Sequence, residues 1–115
     1  MQVMTTLPQE NLNDVPQAAR NAEMVGFDMI ATMENRYEPF MPLAAAAIST
    51  KTINIGTAVA IAFPRSPMVV ASTCWDLNNA SGGRFGLGLG PQIKPHNEKR
   101  FSVPWSPPAP RIREY

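Results

Sequence analysis

The sequence has very little of what disulfide-bonded and metal-binding proteins need. It contains one cysteine, Cys74, and one histidine, His96. A lone cysteine cannot form an internal disulfide, and this favours a reducing compartment, so we expect a cytoplasmic protein. A metal site usually needs several Cys or His ligands at close spacing, and none accompanies His96. The sequence therefore predicts no metal site, and it contains no Ser/His/Asp or Cys/His arrangement typical of nucleophilic catalysis.

An excess of one charge and a long apolar run are also absent. The ten Lys and Arg residues nearly balance the nine Asp and Glu residues, which leaves a net charge of +1. Proteins that bind nucleic acids or membrane surfaces usually carry a basic patch, which this balance does not provide. No apolar run approaches the roughly 20 residues of a membrane-spanning helix. We therefore expect no nucleic-acid partner and no membrane partner.

What the sequence does contain is an alternation of short apolar strands and helices. Apolar segments predict strands over residues 1–6, 27–32, 53–61 and 85–90. Apolar periodicity and helix-start residues predict helices over residues 15–25, 42–50 and 67–80. Such alternation is typical of parallel strands joined by helical crossovers. Two architectures fit it: an open doubly wound sheet, or part of a (β/α)8 barrel, of which this chain would make about half.

The ends of the predicted helices depend on a few residues. Asp14 and Ser66 are favourable N-caps, and each is followed closely by a proline that suits the first helical turn. Gly26 is expected to end the first helix in a left-handed conformation. Six of the twelve prolines fall in residues 91–110 and predict a proline-rich loop there. We expect this loop to belong to a single partial domain that spans residues 1–115.

The stretch SGGRFGLGLG, residues 81–90, combines a helix stop with a glycine-rich strand. Its bare backbone at Gly88 and Gly90 allows a close approach, either by another strand or by a ligand, and both alternatives stay open. The glycine pattern Gly86-x-Gly88-x-Gly90 resembles the G-x-G-x-x-G motif of dinucleotide-binding loops, but that motif runs directly into a helix. Here Gly90 is followed by Pro91-Gln92-Ile93, which does not favour that function.

A few charged residues are candidates for chemistry. Glu34 and Glu38 follow the second strand and could form an acid–base pair, although solvated loop charges are common. Arg65 precedes the third helix and could meet an anion at that helix start, or could be an ordinary surface arginine. His96 is expected in a loop, and Cys74 is expected to be a small core residue on the packed face of the third helix.

The residues also carry a family resemblance. The pattern has a strand ending in G-T-A-V, a turn with R-S-P, a helix with W-D-L, and then S-G-G-R-F-x-L-G-L-G (residues 56–59, 65–67, 75–77 and 81–90). Residues 18–28, AARNAEMVGFD, match as well. These segments resemble the luciferase-like monooxygenase superfamily and, within it, the oxidoreductases that use coenzyme F420. The resemblance implies the N-terminal half of a (β/α)8 TIM barrel, with four parallel strands and intervening helices.

The resemblance also implies a cofactor site at the carboxyl ends of the strands. In such proteins the third strand ends in a bulge, often with a non-prolyl cis peptide, that lies against the cofactor ring. Carried over to this chain, the bulge includes Ala58, Val59 and Ala60, with the cis bond expected between Ala58 and Val59. The cofactor is expected to be F420, with FMN as the alternative.

Residues after the other strands complete the implied site. Gly90 and Gln92 are expected to bind the cofactor beside the fourth strand, with His96 farther along the loop. Glu34 is the expected catalytic residue after the second strand. The implied reaction is hydride transfer or monooxygenation of a small organic substrate.

The implied barrel also bears on what else the protein needs. Four strands make an open sheet, so we expect a homodimer or a requirement for the C-terminal half-barrel. The alternative function is a non-catalytic half-barrel that self-associates or serves as a partner subunit.

Overall fold

Four short parallel strands form the main sheet of the computed structural model, which describes residues 1–115. In chain order the strands are β1 (Met4–Thr6), β2 (Met29–Thr32), β3 (Asn54–Thr57), β4 (Ala60–Ile61), β5 (Phe85–Gly86) and β6 (Leu89–Gly90). The main sheet has the order β1-β2-β3-β5, and β4 pairs with β6 in parallel just beyond it. The predicted α/β class with parallel strands is confirmed.

Helices connect the strands. They are α1 (Val15–Val25), α2 (Phe40–Ser49), α3 (Pro67–Ala80), α4 (Lys94–Arg100) and α5 (Pro108–Glu114), and a 3-10 turn (Leu12–Asp14) precedes α1. Helix α2 packs against both α1 and α3, so the three form a continuous layer beside the sheet. No helix combines the length and the apolar character that a membrane span requires.

The hydrophobic core lies between this helical layer and the sheet. Its fully buried members include Val15 from α1, Ile30 from β2, Leu43 from α2 and Ile55 from β3. The alanines of α2 let this helix approach closely, and two of them are buried in the same cluster. Because these side chains are buried together, the helices are held against the sheet, and the carboxyl ends of the strands are held next to one another.

Residues at the helix ends behave partly as predicted. Gly26 ends α1 with a φ of 94°, a left-handed conformation that glycine adopts without a steric penalty. Asp14 precedes α1 as predicted, but its side chain makes no capping hydrogen bond. Its backbone is already helical because it ends the 3-10 turn, and Asn11 caps that turn by accepting from the Asn13 backbone N–H at 3.1 Å.

Helix α2 begins at Phe40, two residues earlier than predicted from Pro42. The reason is a side-chain cap that the sequence pattern did not reveal. One carboxylate oxygen of Glu38, Oε2, accepts hydrogen bonds from the backbone N–H groups of Phe40 (2.7 Å) and Met41 (2.8 Å). Two free N–H groups at the helix start are thereby satisfied.

The segment 91–110 is not a continuous loop. It contains α4, so His96 lies in a helix and not in the loop that the prolines predicted. Pro95 is compatible with the first turn of that helix, where a missing N–H costs nothing. Asn97 is fully buried, and its Nδ2 donates to the backbone oxygens of Pro91 (2.9 Å) and Ile93 (3.1 Å), which holds the helix start against the strand exit.

Candidate active site

A non-prolyl cis peptide joins Ala58 to Val59, at the bond that the family resemblance implies. It separates β3 from β4, so the predicted strand over residues 53–61 is interrupted there. The backbone on either side remains paired, because the Ala58 N–H donates to the Thr32 oxygen (2.7 Å) and the Ala60 N–H donates to the Gly88 oxygen (2.8 Å). The bulge is therefore held by both neighbouring strands.

Gly88 and Gly90, in the segment from β5 to β6, make room for this bulge. Thr57 Oγ1 donates to the Gly88 oxygen (2.7 Å) and accepts from the Gly88 N–H (2.9 Å). A Cβ atom on Gly88 would collide with the carbonyl oxygen of Thr57, and one on Gly90 would come within 2.7 Å of Val59 Cγ2. The close approach that the sequence left open at both glycines is thus made by the neighbouring strand.

A cleft of about 170 Å³ opens at the carboxyl ends of β2, β4 and β6. Five of the predicted site residues line it: Glu34, Ala58, Val59, Gly90 and Gln92. Met33, Asn35 and Ile61, which were not predicted, complete the lining. The side chain of Val59 stays partly exposed on this wall. Ligands of barrel enzymes bind at this end of the strands, so the cleft is the candidate active site.

Two predicted residues lie elsewhere. Ala60 is completely buried and packs in the hydrophobic core. His96 is exposed on α4 and does not line the cleft. Strand alternation explains the first case, because neighbours along a strand point to opposite faces, and Val59 rather than Ala60 faces the cleft. A cofactor contact at either position stays a prediction.

Glu34 makes a buried, two-pronged ion pair with Arg65. Arg65 Nη1 donates to Glu34 Oε2 at 2.6 Å, and Arg65 Nη2 donates to Glu34 Oε1 at 2.9 Å. The side chains are 4% exposed for Glu34 and 19% exposed for Arg65. Oε2 also accepts the backbone N–H of Ile61 at 2.7 Å. Both oxygens of Glu34 are therefore engaged within the protein.

Arg65 gathers both candidate carboxylates. Its Nη2 also lies 3.4 Å from Glu38 Oε1, and its guanidinium lies over the ring of Phe40 at 5.5 Å. Burial opposes the charge on Arg65, but the hydrogen bonds and negative charges of Glu34 and Glu38 outweigh it, and the pKa of Arg65 is raised. The anions that the Arg65 guanidinium contacts are therefore the Glu34 and Glu38 carboxylates of its own chain.

The partnership of Arg65 with Glu34 was missed in the sequence. Glu34 follows β2 closely, and Arg65 follows β4 by a few residues. β4 follows directly after β3, which is the neighbour of β2, and parallel strands have their carboxyl ends at the same edge, so two opposite charges placed there form a signal that could have predicted the pair.

A second, more polar cleft of about 410 Å³ adjoins the first at the ends of β1 and β2. The two clefts share Met33 and Asn35, and Arg36 and Tyr37 line only the second. Gln9 also lines it. Its Oε1 accepts the Met33 N–H at 3.3 Å, while its Nε2 is buried without a hydrogen-bond partner.

Comparison with known proteins shows which family this chain is similar to. A family model described as luciferase-like monooxygenase matches residues 1–115. An uncharacterised protein of Mycobacterium tuberculosis is 52% identical over 98 residues, covering 85% of this chain and 29% of the relative. A putative coenzyme F420-dependent oxidoreductase of the same organism is 34% identical, covering 94% of this chain and 30% of the relative.

Solved structures agree in fold. A monooxygenase from Streptomyces bottropensis superposes with a TM-score of 0.85 at 21% identity, covering 99% of this chain and 40% of that protein. The coenzyme F420-dependent tetrahydromethanopterin reductase from Methanopyrus kandleri gives a TM-score of 0.78 at 27% identity, covering 90% and 30%. A Pseudomonas putida Baeyer–Villiger monooxygenase in complex with FMN gives 0.73 at 20%, covering 90% and 33%.

The chain spans between 29% and 40% of the length of these relatives and structures. Its parallel strands, intervening helices and strand-end cleft correspond to the N-terminal half of a (β/α)8 barrel. With the family model matching from the first residue to the last, the chain belongs to the luciferase-like monooxygenase family.

Proposed function

We propose that this chain forms part of the active site of an F420-dependent oxidoreductase and supplies the wall against which the cofactor ring lies. The observation that carries the proposal is the cleft at the strand ends, one wall of which is formed by Ala58 and Val59. A wall of backbone and small side chains suits a flat ring, because no long side chain holds the ring away.

The residues of the cleft fit such a cofactor. Ala58, Val59 and Gly90 offer a low apolar surface, and Gln92 offers a polar side chain at its edge. Its volume of about 170 Å³ is below the roughly 300 to 1,000 Å³ of complete small-molecule pockets. The chain would therefore hold one side of the ring, and residues outside it would complete the site.

The chemistry would be divided between cofactor and protein. When bound, F420 supplies hydride transfer, and FMN in its place would supply oxygenation. The protein's share is to bind, to orient and to keep water from the reacting face. The bulge residues Ala58 and Val59 would orient the ring, and the adjoining polar cleft, which shares Met33 and Asn35, would hold a small organic substrate beside it.

F420 is proposed ahead of FMN because of the relatives. The putative oxidoreductase at 34% identity and the reductase structure at 27% identity are both described as F420-dependent. The FMN complex is more distant at 20% identity and supports the fold alone. FMN therefore remains the second cofactor to be tested.

Titration of the purified chain with F420 and with FMN, followed by fluorescence, tests the proposal. We expect saturable binding of F420 that is tighter than binding of FMN. Because the chain holds one side of the ring, the affinity should be weaker than that of the 34%-identical relative measured alongside. Saturable binding of FMN alone would exchange the cofactor, and binding of neither by a folded chain would contradict the proposal.

A second candidate is a non-catalytic half-barrel that self-associates. It is favoured by large apolar side chains exposed on α3, where Met68 is 72% exposed and Trp75 is 77% exposed. Light scattering after size-exclusion chromatography, run beside the titrations, separates the two candidates. A stable dimer that binds neither cofactor would support the second.

A further inference from the structure

A closed ring of hydrogen bonds ties the loop after β2 to the segment that carries the cis peptide. Glu34 Oε2 accepts the N–H of Ile61 at 2.7 Å and accepts from Arg65 Nη1 at 2.6 Å. The same Nη1 donates to the carbonyl oxygen of Ile61 at 2.8 Å. Ile61 is thus held at both its N–H and its C=O by one ion pair.

The backbone of Glu34 reaches the bulge as well. Its N–H donates to the carbonyl oxygen of Val59 at 3.4 Å. Residue 34 therefore contacts the chain immediately after the cis bond and again two residues later, at Ile61. Together with the bond from the Ala58 N–H to the Thr32 oxygen (2.7 Å), these contacts fix the position of the Ala58–Val59 wall relative to β2.

This geometry does not suit an acid–base role for Glu34. A general acid or base must reach a substrate proton, and an ionised carboxylate can only accept hydrogen bonds. Both Glu34 oxygens already accept from Arg65, and Oε2 also accepts from Ile61, in a side chain that is only 4% exposed. The carboxylate is turned toward its own protein.

Stability alone does not account for the pair. Apolar residues of similar volume often replace a buried ion pair without loss of stability, because burial of two charges is itself costly. What apolar side chains could not reproduce is the directional hold on Ile61. The network also extends to Glu38, whose Oε1 accepts from Arg65 and whose Oε2 caps the start of α2. The start of α2 is therefore tied to Arg65 as well.

We infer that Glu34 and Arg65 are positioning residues that hold the cis-peptide wall in place for the cofactor ring, and that Glu34 is not an acid or base. This inference rests on the proposed function, because it concerns the same cleft. It assigns to Arg65 a role that depends on its planar fork, which donates to Glu34 and Ile61 together. A lysine keeps the charge and loses that fork.

The test uses Glu34→Gln and Arg65→Lys in the purified protein, with F420 and FMN as probes. The readouts are the dissociation constant, the visible circular dichroism of the bound cofactor at saturation, and the thermal unfolding midpoint. We expect both variants to bind F420 about tenfold or more weakly, as for a lost charge-assisted hydrogen bond. We also expect an altered dichroism spectrum, because the ring would lie against a displaced wall.

Glu98→Gln is the matched control. Glu98 forms only an exposed pair with Lys94 at 3.9 Å on α4, so the same change of charge should leave affinity and spectrum as in the wild type. If Glu34→Gln does not fold, Glu34→Asp and Arg65→Lys, which keep both charges, decide by the same readouts.

The outcomes separate this inference from the proposed function. If the wild type binds neither probe, the proposed function fails before any variant is made, and this inference fails with it. If the wild type binds and the variants keep its affinity and spectrum, only the positioning role is overturned, even where their unfolding midpoint is lower. A weakened affinity with a changed spectrum supports it.

Discussion

At the scale of single residues, Glu23 shows how one carboxylate can order the start of a strand. Its Oε1 accepts from the backbone N–H groups of Lys51 (2.8 Å), Thr52 (2.6 Å) and Ile53 (3.0 Å), and from the Thr52 hydroxyl (3.0 Å). These bonds, first that from the Thr52 N–H, outweigh the opposing effect of burial and lower the pKa of Glu23 to about 2. The end of α1 is thereby tied to the approach to β3.

This pKa predicts a pH-dependent contribution to stability. Because the folded-state pKa of about 2 lies below the ordinary 4.5, the contribution is fully present above about pH 4.5 and is lost as the pH falls toward 2. We expect Glu23→Gln to lower the unfolding midpoint at pH 7 and to approach the wild type below pH 4.5. Urea unfolding from pH 2 to pH 7 measures this difference.

Glu98→Gln is the control for that series, since Glu98 accepts no backbone hydrogen bond in the structure and pairs only with Lys94. It should unfold like the wild type throughout. A gap between Glu23→Gln and the wild type that stays constant with pH would contradict the assignment of the low pKa to these hydrogen bonds.

At the scale of elements, the sequence predicts what depends on burial and on local turn chemistry. The helix stop at Gly26 and the start of α3 after Ser66 are as predicted, although the Ser66 side chain makes no capping hydrogen bond. The strand over residues 53–61 is not, because an apolar pattern records burial and does not show that the chain bends at Ala58–Val59. Only the family resemblance predicted the cis bond there.

The site was predictable to a similar degree. Glu34 and Gln92, which the family resemblance implied, do line the cleft, because each closely follows a strand and parallel strands end at the same edge. Ala60 was not distinguished from Val59 in the sequence, and alternation along the strand turns Ala60 into the core. His96 was assigned to a loop, although Asn97 anchors a helix through bonds to the preceding backbone that no local pattern predicts.

The close contact between Gly88 and the backbone of Thr57 yields a prediction for Gly88. An added Cβ would collide with the carbonyl oxygen of Thr57, which is backbone and cannot turn away. We expect Gly88→Ala to lower the free energy of unfolding by about 1 to 3 kcal/mol, as overpacking does, and to weaken cofactor binding because the bulge must move.

Gly86→Ala is the matched change in the same segment. Its added Cβ would meet only Met29 Cε, at 4.0 Å, which is ordinary contact. Urea unfolding and F420 titration of both variants check the prediction. Equal stability of Gly88→Ala and Gly86→Ala would contradict the close packing of Gly88 against Thr57.

At the scale of the whole molecule, the sheet has two unpaired edges, β1 and β5. Open edges and exposed apolar side chains favour association with another chain or with further strands. The chain covers 29% to 40% of its relatives, whose remaining length would supply such strands. Cofactor binding and association should therefore be measured together.

Trp75 gives the sharpest test of association, because it is 77% exposed on α3, near Met68 on the same helix. If a second copy covers this surface, Trp75→Arg should weaken the dimer about tenfold or more, as the loss of a central tryptophan does. Ala80→Arg, at an exposed position at the end of the same helix and on a different face from Trp75, should not. Light scattering over a series of concentrations measures both. A dimer that survives Trp75→Arg would place the contact elsewhere. A wild type that stays monomeric at all concentrations would mean that any binding of F420 is a property of a single copy.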